Sequence, residues 1–237
     1  MLHLLIGTDW TRNRDAILAR LADDVHTRRE GRILMVPELI SHETERALCR
    51  FAGDTASRYA EVLSFTRLAR RAAEQAGSSA MECLDSGGRV VAMAAAARQL
   101  ASKLKAYAAV ETKPEFLTEL IDAVDEFKRC CITAQDLKAA AAQTEGSLAQ
   151  KLEELSLLME SYDALCSQGK RDPRDQMTWL REQLEESDYA QTHVFYIDGF
   201  PDYTRQHLEI LEHLIQFSPS VTVSLNCDII GSRQLAF

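Results

Sequence analysis

The sequence predicts an α/β fold, a parallel sheet interrupted by an all-helical insertion. Three observations carry that expectation. Five short apolar runs read as strands: Leu2–Ile6, Ile33–Val36, Glu61–Phe65, His193–Ile197 and Val221–Leu225. Most are β-branched or aromatic and apolar throughout, as parallel strands covered on both faces are. Helical patterns separate the first two runs and follow the second and third, the alternation of βαβ units. Between the third and fourth runs lies a long Ala-, Leu-, Glu- and Gln-rich stretch with no convincing strand.

The first run ends at Gly7, and a helical pattern resumes at about Asp15, with Ile17, Leu18, Leu21 and Val25 on one face. In a phosphate-loop protein this strand–turn–helix carries G-x-x-x-x-G-K-[ST]. Small residues there let backbone N–H groups wrap the phosphates while Lys reaches the terminal oxygens. Here the segment reads Gly7-Thr8-Asp9-Trp10-Thr11-Arg12-Asn13-Arg14. The first glycine is kept. Arg12, Asn13 and Arg14 stand where the second glycine, the lysine and the hydroxyl belong. Trp10 is bulky, Asn13 carries no charge, and Arg14 cannot hold Mg²⁺. On a nucleotide-binding scaffold, Gly7, Asn13 and Arg14 would mark a site that has lost its nucleotide.

The second run leads into Val36-Pro37-Glu38-Leu39-Ile40-Ser41-His42-Glu43-Thr44-Glu45. Pro37 ends the strand. Ser41 is a candidate N-cap, with Thr44 or Glu45 closing the first turn, and an exposed cap leaves N–H groups able to meet a phosphate. The third run leads into Ser64-Phe65-Thr66-Arg67-Leu68-Ala69-Arg70-Arg71. Arg67, Arg70 and Arg71 share a helix face at i, i+3 and i+4. Arginines neutralise phosphates and an aromatic can stack on an unpaired base. The competing reading is a solvated helix start with Phe65 in the core.

Helical patterns cover Val90–Ala109, Pro114–Cys130, Ala134–Gln143 and Ser147–Cys166. In the last, Leu148, Leu152, Leu155, Met159 and Tyr162 form a stripe expected to pack in a core. The fourth strand ends in Phe195-Tyr196-Ile197-Asp198-Gly199-Phe200. A carboxylate at the C-terminal edge of a parallel strand is where a Walker B aspartate sits, facing the ligand side of the sheet. Hydrolysis usually needs a second acid, and Gly199 stands in its place. Asp198 reads either as the remnant of that site or as a cap on the turn to the next helix. Thr204 is a candidate N-cap for Gln206–Ile215, and Phe200 and Tyr203 read as packing or as base-stacking rings.

The chain has 237 residues and a net charge of −9, enough for one large domain or two small ones. The acidic balance argues against a general nucleic-acid coat and leaves room for a local basic groove. No apolar run approaches the roughly 20 residues of a membrane span, and Met1-Leu2-His3 lacks the basic start of a signal peptide. Cys49, Cys83, Cys130, Cys131, Cys166 and Cys227 show no zinc spacing and are expected to be free thiols in a reducing cytoplasm. No catalytic or metal-ligating set is legible.

The first strand, Val36-Pro37-Glu38, Leu63-Ser64-Phe65-Thr66-Arg67-Leu68-Ala69, Glu126-Phe127-Lys128-Arg129, Lys151-Leu152 with Leu155-Ser156-Leu157-Leu158, and Tyr196-Ile197-Asp198-Gly199-Phe200 with Thr204 follow one another in a specific order and spacing. Together they resemble the N-terminal part of the AddB/RexB family, B subunits of the AddAB-type ATP-dependent helicase–deoxyribonuclease. The resemblance spans nearly the whole chain. It implies a superfamily-1 helicase-like fold: a RecA-like P-loop NTPase-type domain over 1–75 and 190–237, split by a helical insertion over 76–189. It also implies a subunit that does not act as a motor, paired with an AddA-type motor subunit in resection of double-strand breaks. Its helicase-like part would contact single-stranded DNA and scan it for the Chi signal. The scanning surface would fall on Leu39, Ser41, Phe65, Arg67, Arg70, Phe200 and Tyr203. Ser41, Phe65 and Arg67 match the family's chemistry, whereas Leu39 and Arg70 depart from it. The family's iron–sulfur cluster belongs to a C-terminal nuclease region, so no cofactor is expected in this N-terminal piece. ATP binding is not carried over to Gly7, Asn13, Arg14 and Asp198. The chain alone is expected neither to hydrolyse ATP nor to cut DNA. The alternatives are a working ATPase with an aberrant loop, or a scaffold whose acidic surface docks the motor subunit.

Overall fold

The computed structural model describes residues 1–78, 81–108 and 113–227. The strands are β1 (Leu2–Gly7), β2 (Arg32–Met35), β3 (Ala60–Leu63), β4 (Val194–Ile197) and β5 (Val221–Asn226). The helices are α1 (Trp10–His26), α2 (Ser41–Ala52), α3 (Ala56–Tyr59), α4 (Phe65–Ala76), α5 (Ser86–Gln99), α6 (Pro114–Arg129), α7 (Ala134–Ala142), α8 (Gly146–Cys166), α9 (Gln176–Glu186), α10 (Tyr189–Thr192) and α11 (Arg205–Phe217). The described residues fall into two compact units. One comprises 1–78, 179–203 and 207–227; the other comprises 204–206 and those within 81–178. No helix among the described residues is long and apolar enough to cross a membrane.

The first unit holds one five-stranded sheet in the order β1-β5-β4-β2-β3, and every pairing is parallel. All five apolar runs are strands, with shifted ends, but β1 is an edge strand whose Leu2 and Leu4 are exposed rather than covered. Met35 lies opposite both Leu63 and Ile197, so β2, β3 and β4 finish level with one another. On one side, Ile17, Leu18, Leu21 and Val25 of α1 pack with Leu34, Leu48, Val62 and Tyr196. Burying apolar area of this kind contributes about 25 cal/mol per Å² and is the main force holding a sheet and its helices together.

Side-chain caps move several boundaries from where periodicity sets them. The Asp9 carboxylate accepts N–H bonds from Thr11 and Arg12, so α1 starts at Trp10 rather than near Asp15. The Ser64 hydroxyl accepts from the Arg67 N–H, which ends β3 at Leu63 and makes Phe65 the first residue of α4 instead of the last of the strand. Asp85 caps α5 by accepting from Gly88. Each such cap is worth about 1 kcal/mol, enough to decide where a helix begins.

In the second unit, α5, α6 and α8 bury Met93, Ala97, Leu120, Val124, Met159 and Tyr162 together. The stripe expected on α8 is buried in its C-terminal half, while Leu148 is exposed. The helix expected over Val90–Ala109 stops at Gln99, and Ala109 lies outside the described residues. The buried Glu154 carboxylate of α8 organises the chain beyond that end. It accepts N–H bonds of 3.0 Å from Lys105, Ala106 and Tyr107, so the chain leaves the helix without orphaning those donors. Burial alone would raise the pKa of Glu154, yet these bonds hold it below the usual carboxylate range. A second polar cluster joins the helices. Lys128 of α6 reaches Asp163 at 2.8 Å, Asp175 at 2.6 Å and the fully buried Asp172 at 3.4 Å. Arg89 of α5 bridges Asp125 and Asp172. Among the described residues between β3 and β4, the extended pairing is an isolated bridge, Cys83 to Arg171.

Candidate functional site

Because β2, β3 and β4 end level, the loops that follow them meet at one edge of the sheet. The Val36 N–H donates to the Leu63 carbonyl, and the Asp198 N–H to the Met35 carbonyl. The Ser64 hydroxyl donates to the Glu38 carboxylate, tying the loop after β3 to the loop after β2. Gly199 has φ +77°, and a Cβ there would lie 2.9 Å from Ile40 Cδ1. A side chain at this position would therefore be strained by its backbone angle and would push the Ile40 side chain aside. From β2 the chain moves outward to β3, and from β4 it moves the other way, to β5. Reversal of direction between β2 and β4 is where open α/β sheets form a crevice at the strands' carboxyl ends.

All seven residues assigned to a DNA surface belong to these loops or to the helices they start. Leu39 sits on a single 3-10 turn (Glu38–Ile40) and is 96% exposed. Ser41 does not cap α2. It is the first helical residue, buried, and its hydroxyl donates backward to the Glu38 carbonyl at 2.9 Å. Ile40 occupies the cap position, and the Thr44 hydroxyl donates to its carbonyl.

Phe65 is buried, as the core reading of its segment has it. Its ring stacks on His207 at 4.3 Å and meets Phe200 edge-on at 5.3 Å. Phe200 in turn lies 5.4 Å from Tyr203. The four rings form a continuous row from His207 of α11 through the buried Phe65 of α4 to Phe200 and Tyr203 in the loop before α11, the last two half-buried. Burial pushes the Tyr203 hydroxyl up to about 12, with the Asp198 charge acting in the same direction. Burial lowers the His207 pKa, partly opposed by Asp202.

The arginines of α4 have different fates. Arg67 pairs with Glu45 of α2 at 2.7 Å. Arg71 pairs with Glu61 at 2.9 Å and Glu74 at 3.1 Å. Arg70 is exposed and has no ion-pair partner among the described residues. Arg67 and Arg71 line a groove of about 350 Å³ along the open edge of β3, floored by Leu48, Ala60 and Val62. No local sequence pattern points to the partner residues Glu45 and His207, since each lies on a neighbouring helix.

At the far side of the same edge, Asn13 is buried. Its amide donates to the carbonyls of Gly7 (3.3 Å) and Leu225 (3.4 Å) and to Asn226 Oδ1 (3.2 Å). A Cβ on Gly7 would stand 2.8 Å from the Asn13 amide oxygen, so the turn after β1 is closed by that side chain. Asp198 is buried and caps no helix, since α11 begins only at Arg205. It accepts from the Ser224 hydroxyl of β5. Burial raises its pKa, while the bonds from Ser224 and the Gly199 N–H and the charge of Arg14 pull the other way. No group of three or more His, Cys, Asp or Glu among the described residues is arranged to hold a metal ion.

A family model described as ADDB, N-terminal, matches residues 4–235 of the chain. The chain belongs to the AddB N-terminal family. AddB relatives, each named as the B subunit of an ATP-dependent helicase/deoxyribonuclease, are similar over most of it. The one from Thermoanaerobacter sp. (strain X514) is 33% identical over 198 residues, 83% of this chain and 17% of the relative. The Listeria innocua protein is 25% identical over 228 residues, covering 96% of this chain and 20% of its own length. The Anoxybacillus flavithermus protein is 27% identical over 235 residues, covering 95% and 20%. The chain thus spans about one fifth of the length of these AddB relatives or slightly less.

Proposed function

We propose that this chain is the N-terminal, non-motor helicase-like part of a B subunit in an ATP-dependent helicase–nuclease of double-strand break repair. Its sheet edge contacts single-stranded DNA and scans it for the Chi signal. The observation that carries this reading is the convergence of Leu39, Ser41, Phe65, Arg67, Arg70, Phe200 and Tyr203 on one level edge, from three separate loops. Arg67 and Arg70 neutralise phosphates. The exposed Leu39 and the outer rims of Phe200 and Tyr203 pack on unstacked bases. Phe65, buried beneath Phe200, supports that ring rather than stacking on DNA itself.

The names of the relatives support a place in a helicase/deoxyribonuclease complex, which in this reading pairs the chain with an AddA-type motor subunit in the cytoplasm. The sheet order supports a RecA-like domain over 1–75 and 190–237, interrupted by a helical insertion over 76–189. In that order one strand, β5, separates the strand ending in Gly7 from the strand that leads into Asp198. The turn after β1 favours a non-motor role over a working ATPase. The Asp9 carboxylate takes N–H groups that would meet a phosphate, and Asn13 fills the turn where a lysine would be needed.

The test is binding of a fluorescent single-stranded oligonucleotide to the wild-type chain and to Arg67→Ala/Arg70→Ala over a salt series. The wild type should bind, and the variant should bind more weakly with a salt slope shallower by roughly two. Absence of binding at low salt would favour a scaffold that docks the motor subunit. Saturable, Mg²⁺-dependent binding of an ATP analogue would restore the ATPase reading.

A further inference from the structure

We infer that Trp10 and Arg14 form an additional contact for one unpaired nucleotide of a single DNA strand, the base against the indole and the phosphate against the guanidinium. This extends the single-strand reading above onto α1 and rests on it. Trp10 opens α1 and is 58% exposed, whereas the other tryptophan, Trp179, is buried. A large indole left in water is unusual for a packing residue. One turn on, the Arg14 guanidinium lies 5.1 Å from the Trp10 ring centroid. Cation–π stacking holds that long side chain alongside the ring, so less rotamer freedom is lost when it meets a ligand.

Arg14 also has donors to give. Its Nε is shielded from water beside Asp15, so a phosphate would meet the terminal nitrogens, of which Nη1 lies 4.0 Å from Glu43. Its carboxylate neighbours are held loosely, Asp15 at 3.8 Å and Glu43 at 4.0 Å, with Asp198 also within electrostatic reach. A guanidinium carries five N–H donors, and a phosphodiester offers acceptors in matching geometry. Glu43 lies in the first turn of α2, directly after Leu39 and Ser41, and Glu45 two residues on holds Arg67. The Trp10–Arg14 pair therefore abuts the proposed DNA edge through α2.

The chemistry favours a strand over a free nucleoside triphosphate. A triphosphate needs several backbone N–H groups, and Asp9 already occupies those of Thr11 and Arg12. The carboxylates of Asp9, Asp15 and Glu43 repel any anion, and a triphosphate several times more strongly than a singly charged phosphodiester. A single base and a singly charged phosphodiester need the ring and the guanidinium alone.

The experiment uses the 237-residue chain with oligo-dT as the probe. Subtracting the emission of Trp10→Phe from that of wild type isolates the Trp10 signal without touching Trp179. Oligo-dT should quench that signal, Trp10→Ala should weaken binding by about fivefold or more, and Trp10→Phe should keep most of the affinity. Arg14→Gln should lower the salt slope by about one. If oligo-dT binds all variants as tightly as wild type and leaves Trp10 emission unchanged, this inference fails while the DNA reading stands. The same holds if Trp10 turns out to dock another protein and ignore DNA. Quenching by Mg²⁺–ATP but not by oligo-dT would make the pair a mononucleotide site and overturn it. If wild type binds no oligo-dT at low salt, both readings fall together.

Discussion

The ring of Phe65 lies nearly parallel to the imidazole of His207, 4.3 Å away and tilted by 12°. The contact ties the start of α4 to α11, two elements more than a hundred residues apart in sequence. It also places a titratable ring under the aromatic row that supports Phe200.

Burial lowers the His207 pKa below the ordinary 6.5, with Asp202 opposing, so the folded chain takes up this proton less readily than the unfolded chain. The stability that the neutral imidazole allows is complete above pH 6.5 and is lost as the pH falls through the folded-state value. The melting temperature should therefore drop on going from about pH 7.5 to about pH 5.5. His207→Phe keeps a stacked ring without the proton and should flatten part of that slope. His213, which burial shifts the same way, contributes to the slope in the same sense. An unchanged slope in His207→Phe would remove this account of the stack.

Glu45 competes with any phosphate for Arg67, since the two pair at 2.7 Å with both side chains partly in solvent. Such a pair contributes about 0–1 kcal/mol to stability. Glu45→Gln should hence leave melting almost unchanged and tighten single-strand binding several-fold, most clearly at low salt. Arg67→Ala should weaken binding with an equally small effect on melting. Fluorescence anisotropy beside thermal melts separates the two; weaker DNA binding by Glu45→Gln would contradict the phosphate role of Arg67.

The turn after β1 is predicted to matter for stability and not for nucleotide binding. Asp9→Ala removes the cap of α1 and should cost about 1 kcal/mol. Asn13→Ala leaves the half-buried Gly7 and Leu225 carbonyls without their side-chain donor and should cost about 1 kcal/mol. Urea unfolding measures both. Neither variant should gain or lose affinity for an ATP analogue.

Lys128 holds three aspartates in the helical unit, and Asp172 among them is fully buried. Breaking a buried ion pair from one side typically costs about 3–5 kcal/mol, because the other charge is stranded. Lys128→Met preserves the volume and removes the charge, so a loss of that order is expected in urea unfolding. A loss below about 1 kcal/mol would mean that Arg89 and water satisfy the aspartates unaided.

The five strands and their parallel sense were legible because runs such as Ile33–Val36 and Phe195–Ile197 are apolar on both faces, which suits a covered sheet and little else. The AddB kinship was legible in the same way, from the order of short motifs. Local pattern reports whether a residue is to be buried, and it places Leu39, Phe65, Arg67 and Phe200 near strand ends. It does not report partners. Whether Phe65 closes a strand or opens a helix turned on the Ser64 cap, and whether its ring faces solvent turned on His207 and Phe200. The course of the chain at Lys105–Tyr107 followed from Glu154, and the closure of the first turn from Asn13 meeting Asn226, 213 positions away. Periodicity extends over a few turns of chain, whereas these hydrogen bonds and ring contacts exist only once the sheet has brought distant segments within about 3–5 Å.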